Sequence, residues 1–116
     1  MRKISIAFEK PQIEINGVVY DVLKSDKAIV EDMIDIDRQF AGWDMASTET
    51  VLEKNGVLLE YLERLLGAGA TDKIISSIPG MEEYGLGLAG LDGFLGQIVQ
   101  AAGRAYSDGI KIKYDD

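Results

Sequence analysis

Neither cysteine nor histidine occurs anywhere in this 116-residue chain. The first absence excludes disulfides, thiolate chemistry and cysteine-based zinc sites. The second removes the commonest general acid–base and the commonest transition-metal ligand together. A serine nucleophile would lack its usual partner, and no lysine-based motif stands in for it. Paired carboxylates could hydrolyse a glycoside, but one Trp and three Phe give no sign of an aromatic-lined cleft. The residues therefore read as a non-enzymatic chain with no cofactor and no metal.

Positive charge is also scarce. Twelve Lys and Arg face twenty Asp and Glu, for a net charge of −8 and a sequence pI near 4.5. The basic residues never form a run longer than Arg2-Lys3, so neither nucleic acid nor an anionic membrane surface is an expected partner. Long apolar runs are missing too. The greasiest stretch, Leu86 to Ala102, is interrupted by Asp92, Gln97 and Gln100. An Asp near the middle of a span costs about 3 kcal/mol on insertion, and the uninterrupted length is too short to cross a bilayer. The start, Met1 to Ile6, has basic residues but no apolar core or cleavage site, so no signal peptide is expected. An intracellular protein is expected.

What is present fits one globular domain over residues 1–116. The hydrophobic fraction is 47%, ordinary for a chain that folds, and this length suffices for an independent core. Asn16-Gly17, between Ile13-Glu14-Ile15 and Val18-Val19-Tyr20, marks a type I′ hairpin, because both central residues must take φ > 0. Ile15 then faces Val18 and Ile13 faces Tyr20. Ile4, Ile6 and Phe8 alternate with smaller or polar residues as a first strand, and Pro11 interrupts the pattern. Residues 1–24 are thus expected to form a small antiparallel sheet of two or three strands, which needs a helix against its apolar face.

Helical periodicity dominates residues 25–108. Ser25 is a candidate N-cap with Asp26 behind it, and Ile29, Met33, Ile36 and Phe40 form a stripe that Gly42 ends. Trp43 either plugs the core between helices or anchors an exposed interface. A second helix, with Ser47, Thr48 and Thr50 as alternative caps, carries Leu52, Leu59, Leu62 and Leu66, widened by Leu58 and Leu65, and Thr50 with Glu53 fits a capping box. Glu60 and Arg64 can pair on its wet side. Gly67 to Ala70 reads as a C-cap and loop. Thr71-Asp72 begins a short third helix with Ile74, Ile75 and Ile78, stopped by Pro79-Gly80. The last helix bears Leu91, Phe94, Leu95, Ile98, Val99, Ala102 and Tyr106 on one face. Beside that face runs a stripe of small residues, Ala89, Gly93, Gly96 and Gly103. Interior glycines at three positions cost about 2–3 kcal/mol, so a close neighbour is expected to compensate, either the second helix or a partner polypeptide. Ile110 to Tyr114 alternates again, as a terminal strand or a mobile tail over 109–116. The fold class is α+β, mostly α: a small N-terminal antiparallel hairpin or sheet, then about four helices.

Other patterns read as structural. Gly85-Leu86-Gly87-Leu88-Ala89-Gly90 matches the dinucleotide fingerprint by letter, but the preceding Pro79 to Tyr84 makes no strand and no parallel βαβ pattern surrounds it. Asp32, Asp35 and Asp37 lack the loop ligands and turn glycine of a calcium site and read as a solvated acidic face. Glu82-Glu83 reads as helix-start charge.

The order of elements resembles the small tail assembly chaperones of long-tailed phages and prophages, especially those of Gram-positive hosts. The residues carrying the resemblance are the hairpin Ile13 to Tyr20 and the passage through Ser25-Asp26 into an acidic amphipathic helix, followed by more helices and a glycine-rich last one. The resemblance implies a non-enzymatic, homo-oligomeric protein of the host cytoplasm that coats the tape measure protein before the tail tube polymerises, with the tail tube protein as a second partner. Such families often make a longer product by translational frameshifting, and this chain would correspond to the short form. No catalytic residues carry over. The partner-binding surface is read from the stripes themselves: Leu91, Gly93, Phe94, Leu95, Gly96, Ile98 and Val99, with Trp43. On that reading, Leu95→Asp or Ile98→Asp abolishes self-association or client binding. The rival readings are another phage structural component, such as a head–tail joining or tube protein, and a generic acidic adaptor. An acidic mimic of nucleic acid would need a regular carboxylate array, which these dispersed residues do not make.

Overall fold

Asn16 (φ 48°) and Gly17 (φ 83°) both take the left-handed backbone that a type I′ turn demands, and the hairpin forms around them. In the computed structural model, which describes residues 1–80 and 91–115, β2 (Gln12–Ile15) pairs antiparallel with β3 (Val18–Asp21). Ile15 lies opposite Val18 and Ile13 opposite Tyr20. Asn16 Nδ2 donates to the Ser77 carbonyl at 3.1 Å, tying the turn to the third helix.

Four helices follow among the described residues: α1 (Asp26–Gln39), α2 (Thr48–Leu66), α3 (Ala70–Ser77) and α4 (Leu91–Gly109). The architecture is α+β and mostly α. Ser25 caps α1, its Oγ accepting from the Ala28 amide at 3.1 Å, and Asp26 occupies the first turn, where a negative charge complements the helix dipole. Ile29, Ile36 and Phe40 are buried and Met33 packs against them. The helix closes at Phe40, two residues before Gly42, whose φ of 81° serves the following turn.

Of the three expected caps of α2, Ser47 takes the N-cap position but makes no side-chain capping bond. Two features differ from expectation: Thr50 lies inside the helix, so the Thr50–Glu53 capping box does not form, and the buried stripe is rotated. The buried stripe is Leu58, Tyr61, Leu62, Leu65 and Leu66, while Leu52 stays 55% exposed. The stripe is rotated towards Tyr61 because α2 packs on both α3 and α4 along its C-terminal half. Glu60 and Arg64 approach to 4.0 Å on the outer side.

α4 packs against α1, α2 and β2. Leu95, Ile98 and Ala102 are buried, a 3–4 spacing that keeps them on one helical face. They meet Ile13, Tyr20 and Val22 from the hairpin segment, Ile29 and Ile36 from α1, and Ala70 and Ile74 from α3 in one contiguous core. The hydroxyl of Tyr20 is buried there without a hydrogen-bond partner among the described residues, and desolvation pushes its pKa up. Among the described residues no helix is long and apolar enough to cross a membrane.

The first strand does not join the hairpin. β1 (Lys3–Phe8) pairs antiparallel with β4 (Ile110–Asp115), forming a second two-stranded sheet from opposite ends of the chain. The expected single N-terminal sheet is therefore two separate ribbons, and residues 110–115 are a strand. Pro11 lies buried at the corner between the two sheets, and its carbonyl accepts from Val22 at 3.0 Å. The radius of gyration is 17.4 Å and the long axis 63 Å, against about 13 Å for the radius of a compact chain of this length.

Candidate interaction surface

The register of the terminal ribbon sorts its side chains by chemistry. Ile4 faces Tyr114, Ile6 faces Ile112 and Phe8 faces Ile110. Residues directly opposite across an antiparallel ladder share a face, so these six apolar side chains lie together. The pairs Lys3–Asp115, Ser5–Lys113 and Ala7–Lys111 fall on the other face. An amphipathic ribbon normally lays its greasy side on a core. Here every residue of β1 is exposed, and the six apolar side chains range from 49% exposed at Ile110 to 71% at Tyr114.

The ribbon is fastened to the body at its base. The Glu9 amide donates to the Gly109 carbonyl at 2.8 Å, and the Phe8 ring stacks on Tyr106 with centroids 6.0 Å apart. Tyr106 in turn donates its hydroxyl to the Lys24 carbonyl at 2.6 Å. Gly109 stands where α4 passes directly into β4. A Cβ there would lie 2.6 Å from the Glu9 carbonyl oxygen, so the close approach of the two chain segments depends on its missing side chain.

Of the residues expected to form a partner surface, those whose side chains are described do not share one exposed face. Leu95 and Ile98, at 3% and 6% exposure, are covered by this chain's own core, and Val99 is half-buried against it. Gly96 is exposed. Leu91, Gly93 and Phe94 lie in α4 but outside the residues whose side chains are described, as does the glycine pattern of residues 85–90 beyond the described backbone. Trp43 is 39% exposed and stands edge-on to Phe40 with centroids 4.9 Å apart, covering the end of α1 and neither sealed in the core nor freely projecting. Of the small-residue stripe, Gly96 and Gly103 are described, and a Cβ on either would find no described atom within 4 Å. Close packing against the second helix, one of the two readings of the stripe, is corrected to open space at these two positions. Gly96→Ala and Gly103→Ala should each stabilise the chain by about 1 kcal/mol through helix propensity alone, measurable as a raised urea midpoint at unchanged slope.

Of the acidic side chains of α1, Asp32 is engaged within the chain. Asp32 Oδ2 accepts from Lys24 Nζ at 2.8 Å and from the Tyr61 hydroxyl at 3.1 Å, while the ammonium lies 5.7 Å from the Tyr61 ring centre. The hydrogen bond from Lys24 is the main reason that Asp32 titrates below the usual carboxylate range, with Tyr61 adding to it against desolvation. Burial, then the adjacent carboxylate, pushes Tyr61 well up. Among the described residues no group of three or more Asp and Glu is placed to hold a metal. A depressed native pKa stabilises the fold above the unfolded value near about 3.9 and loses that contribution as pH falls through the native value. Asp32→Asn should therefore cost about 1 kcal/mol at neutral pH, discounted for partial exposure. The gap from wild type should close as the pH falls below about 3.9, as read by denaturant titration at each pH.

The exposed ribbon is thus the surface that sequence periodicity did not single out, although the alternation in residues 110–114 signalled the strand. A comparison with protein-family models, with curated proteins and with solved structures found no match to this chain.

Proposed function

We propose that this chain is a non-enzymatic binder of polypeptides, a tail assembly chaperone that oligomerises and holds the tape measure protein during phage tail morphogenesis. The observation that carries the reading is the apolar face of the terminal ribbon, six large side chains left about half exposed or more. A contiguous apolar patch of this kind marks an interaction site on a folded domain, and an apolar sheet face is completed by another apolar surface packed on it. The net charge of −8 opposes indiscriminate aggregation of a molecule that carries such a patch. The order of elements, a hairpin leading through Ser25-Asp26 into an acidic helix and then a mostly helical body, adds the resemblance to tail assembly chaperones.

Co-expression with the tape measure product of the same genome tests the reading. Co-purification of the two proteins is expected, and its failure, with both proteins folded, removes the chaperone assignment.

A further inference from the structure

We infer that the apolar face of the β1–β4 ribbon is a homodimer interface, covered by the same face of a second copy. This rests on the reading of the ribbon as a polypeptide-binding surface and commits it to one occupant.

A two-stranded ribbon with water on both faces is marginal. Among the described residues this one is held to the body at its base, through Glu9–Gly109 and Phe8–Tyr106. Packing a second ribbon on it at about 10 Å would give a four-stranded sandwich with a dry centre. The composition of the face suits a copy of itself. Ile4, Ile6, Phe8, Ile110, Ile112 and Tyr114 carry no charge, so two identical faces meet without like-charge conflict, and a two-fold axis through the central Ile6–Ile112 pair makes the contact closed. Six side chains offering about 100 Å² each would bury about 1,200 Å² over both copies, the lower bound for a stable interface.

Charge also selects face packing over strand addition. Lys111 and Lys113 alternate along β4, and Lys3 lies on β1. Edge-to-edge pairing of β4 with another β4 would set these lysines side by side, the arrangement by which natural sheets block edge association. Face packing leaves the same lysines on the outer surfaces, in solvent.

A matched pair of variants tests this on the full chain. Ile6→Lys and Ala7→Lys add the same charge to adjacent positions of β1, one on each face. In sedimentation at about 100 µM, within the range of modest interfaces, the wild type and Ala7→Lys should be dimers. Ile6→Lys should be a monomer with an unchanged helical circular dichroism spectrum, its dissociation constant raised about a hundredfold by burying an unpaired charge. A monomeric wild type, or equal behaviour of the two variants, overturns the inference. Should Ile6→Lys disturb the helical spectrum, Tyr114→Lys decides. That side chain is 71% exposed, so its loss spares the body; a weakened dimer is expected, and an unaltered one overturns the interface. A wild type that is monomeric alone, captures the tape measure protein and loses it on Ile6→Lys overturns the second-copy assignment while leaving client binding intact. A ribbon-dependent dimer that captures no tape measure protein keeps the interface and removes the chaperone reading.

Discussion

Leu95→Asp is expected to unfold this protein outright. Leu95 is 3% exposed and sits in the core against α1, α2 and the hairpin. Truncating a buried leucine costs about 2–5 kcal/mol through lost burial and the cavity left behind. Placing an uncompensated carboxylate there adds several kcal/mol more. Against a total stability of about 5–15 kcal/mol for a domain, the folded state is not expected to survive at neutral pH. The measurement is far-ultraviolet circular dichroism with thermal melting, and a native spectrum with a wild-type midpoint would contradict the burial of Leu95 in the core. The same substitution, read from sequence alone, was a test of partner binding. The fold turns it into a test of the core, and Ile98→Asp falls under the same argument.

Gly109→Ala carries the second large effect. The new Cβ would lie 2.6 Å from the backbone oxygen of Glu9, a contact that cannot persist, and the obstacle is main chain with no side-chain rotamer to escape into. Relief requires separating α4 from the Glu9 segment, which lengthens the Glu9–Gly109 hydrogen bond that fastens the ribbon. The cost should be about 1–3 kcal/mol, and it should fall on the ribbon. Hydrogen exchange is the direct readout: amides of β1 and β4 should lose protection while those of α2 keep theirs. Uniform loss across the chain, or none anywhere, would contradict the close approach of Gly109 to Glu9 described above. Gly96→Ala and Gly103→Ala supply the contrast, because the same methyl group meets open space there.

Most local signals in the sequence hold in the fold, the Thr50–Glu53 capping box being the exception. Asn16-Gly17 dictated the turn and with it the register of β2 and β3, and Ser25-Asp26 began α1. The 29-33-36-40 spacing marked the inward face of that helix. Errors arose where distant segments decide. The period of α2 was evident, but Tyr61 entered the stripe and Leu52 left it because α3 and α4 cover only the second half of the helix. Alternation identified Lys3–Phe8 as a strand without saying which strand it pairs with, and proximity in sequence suggested the hairpin. The true partner begins at Ile110, and no periodicity links segments that far apart. The same limit governed the interaction surface. Apolar spacing in Leu95, Ile98 and Ala102 is the signature of a core face and of a docking face alike; α1, α2 and β2 took it for the core. The ribbon's apolar residues carried the ordinary signature of half-buried strands, and only the absence of a described helix over them distinguishes it.

Because Lys3 is paired with Asp115 and Phe8 with Ile110, the ladder closes almost the whole polypeptide into a ring. Such a closure is entropically slow unless intervening segments have already collapsed, since the cost of bringing ends together precedes any reward from their contacts. Loop-closure entropy thus weighs on the ribbon more than on any local element of the fold, and on the reading proposed above the binding face would be complete only once the helical body has formed.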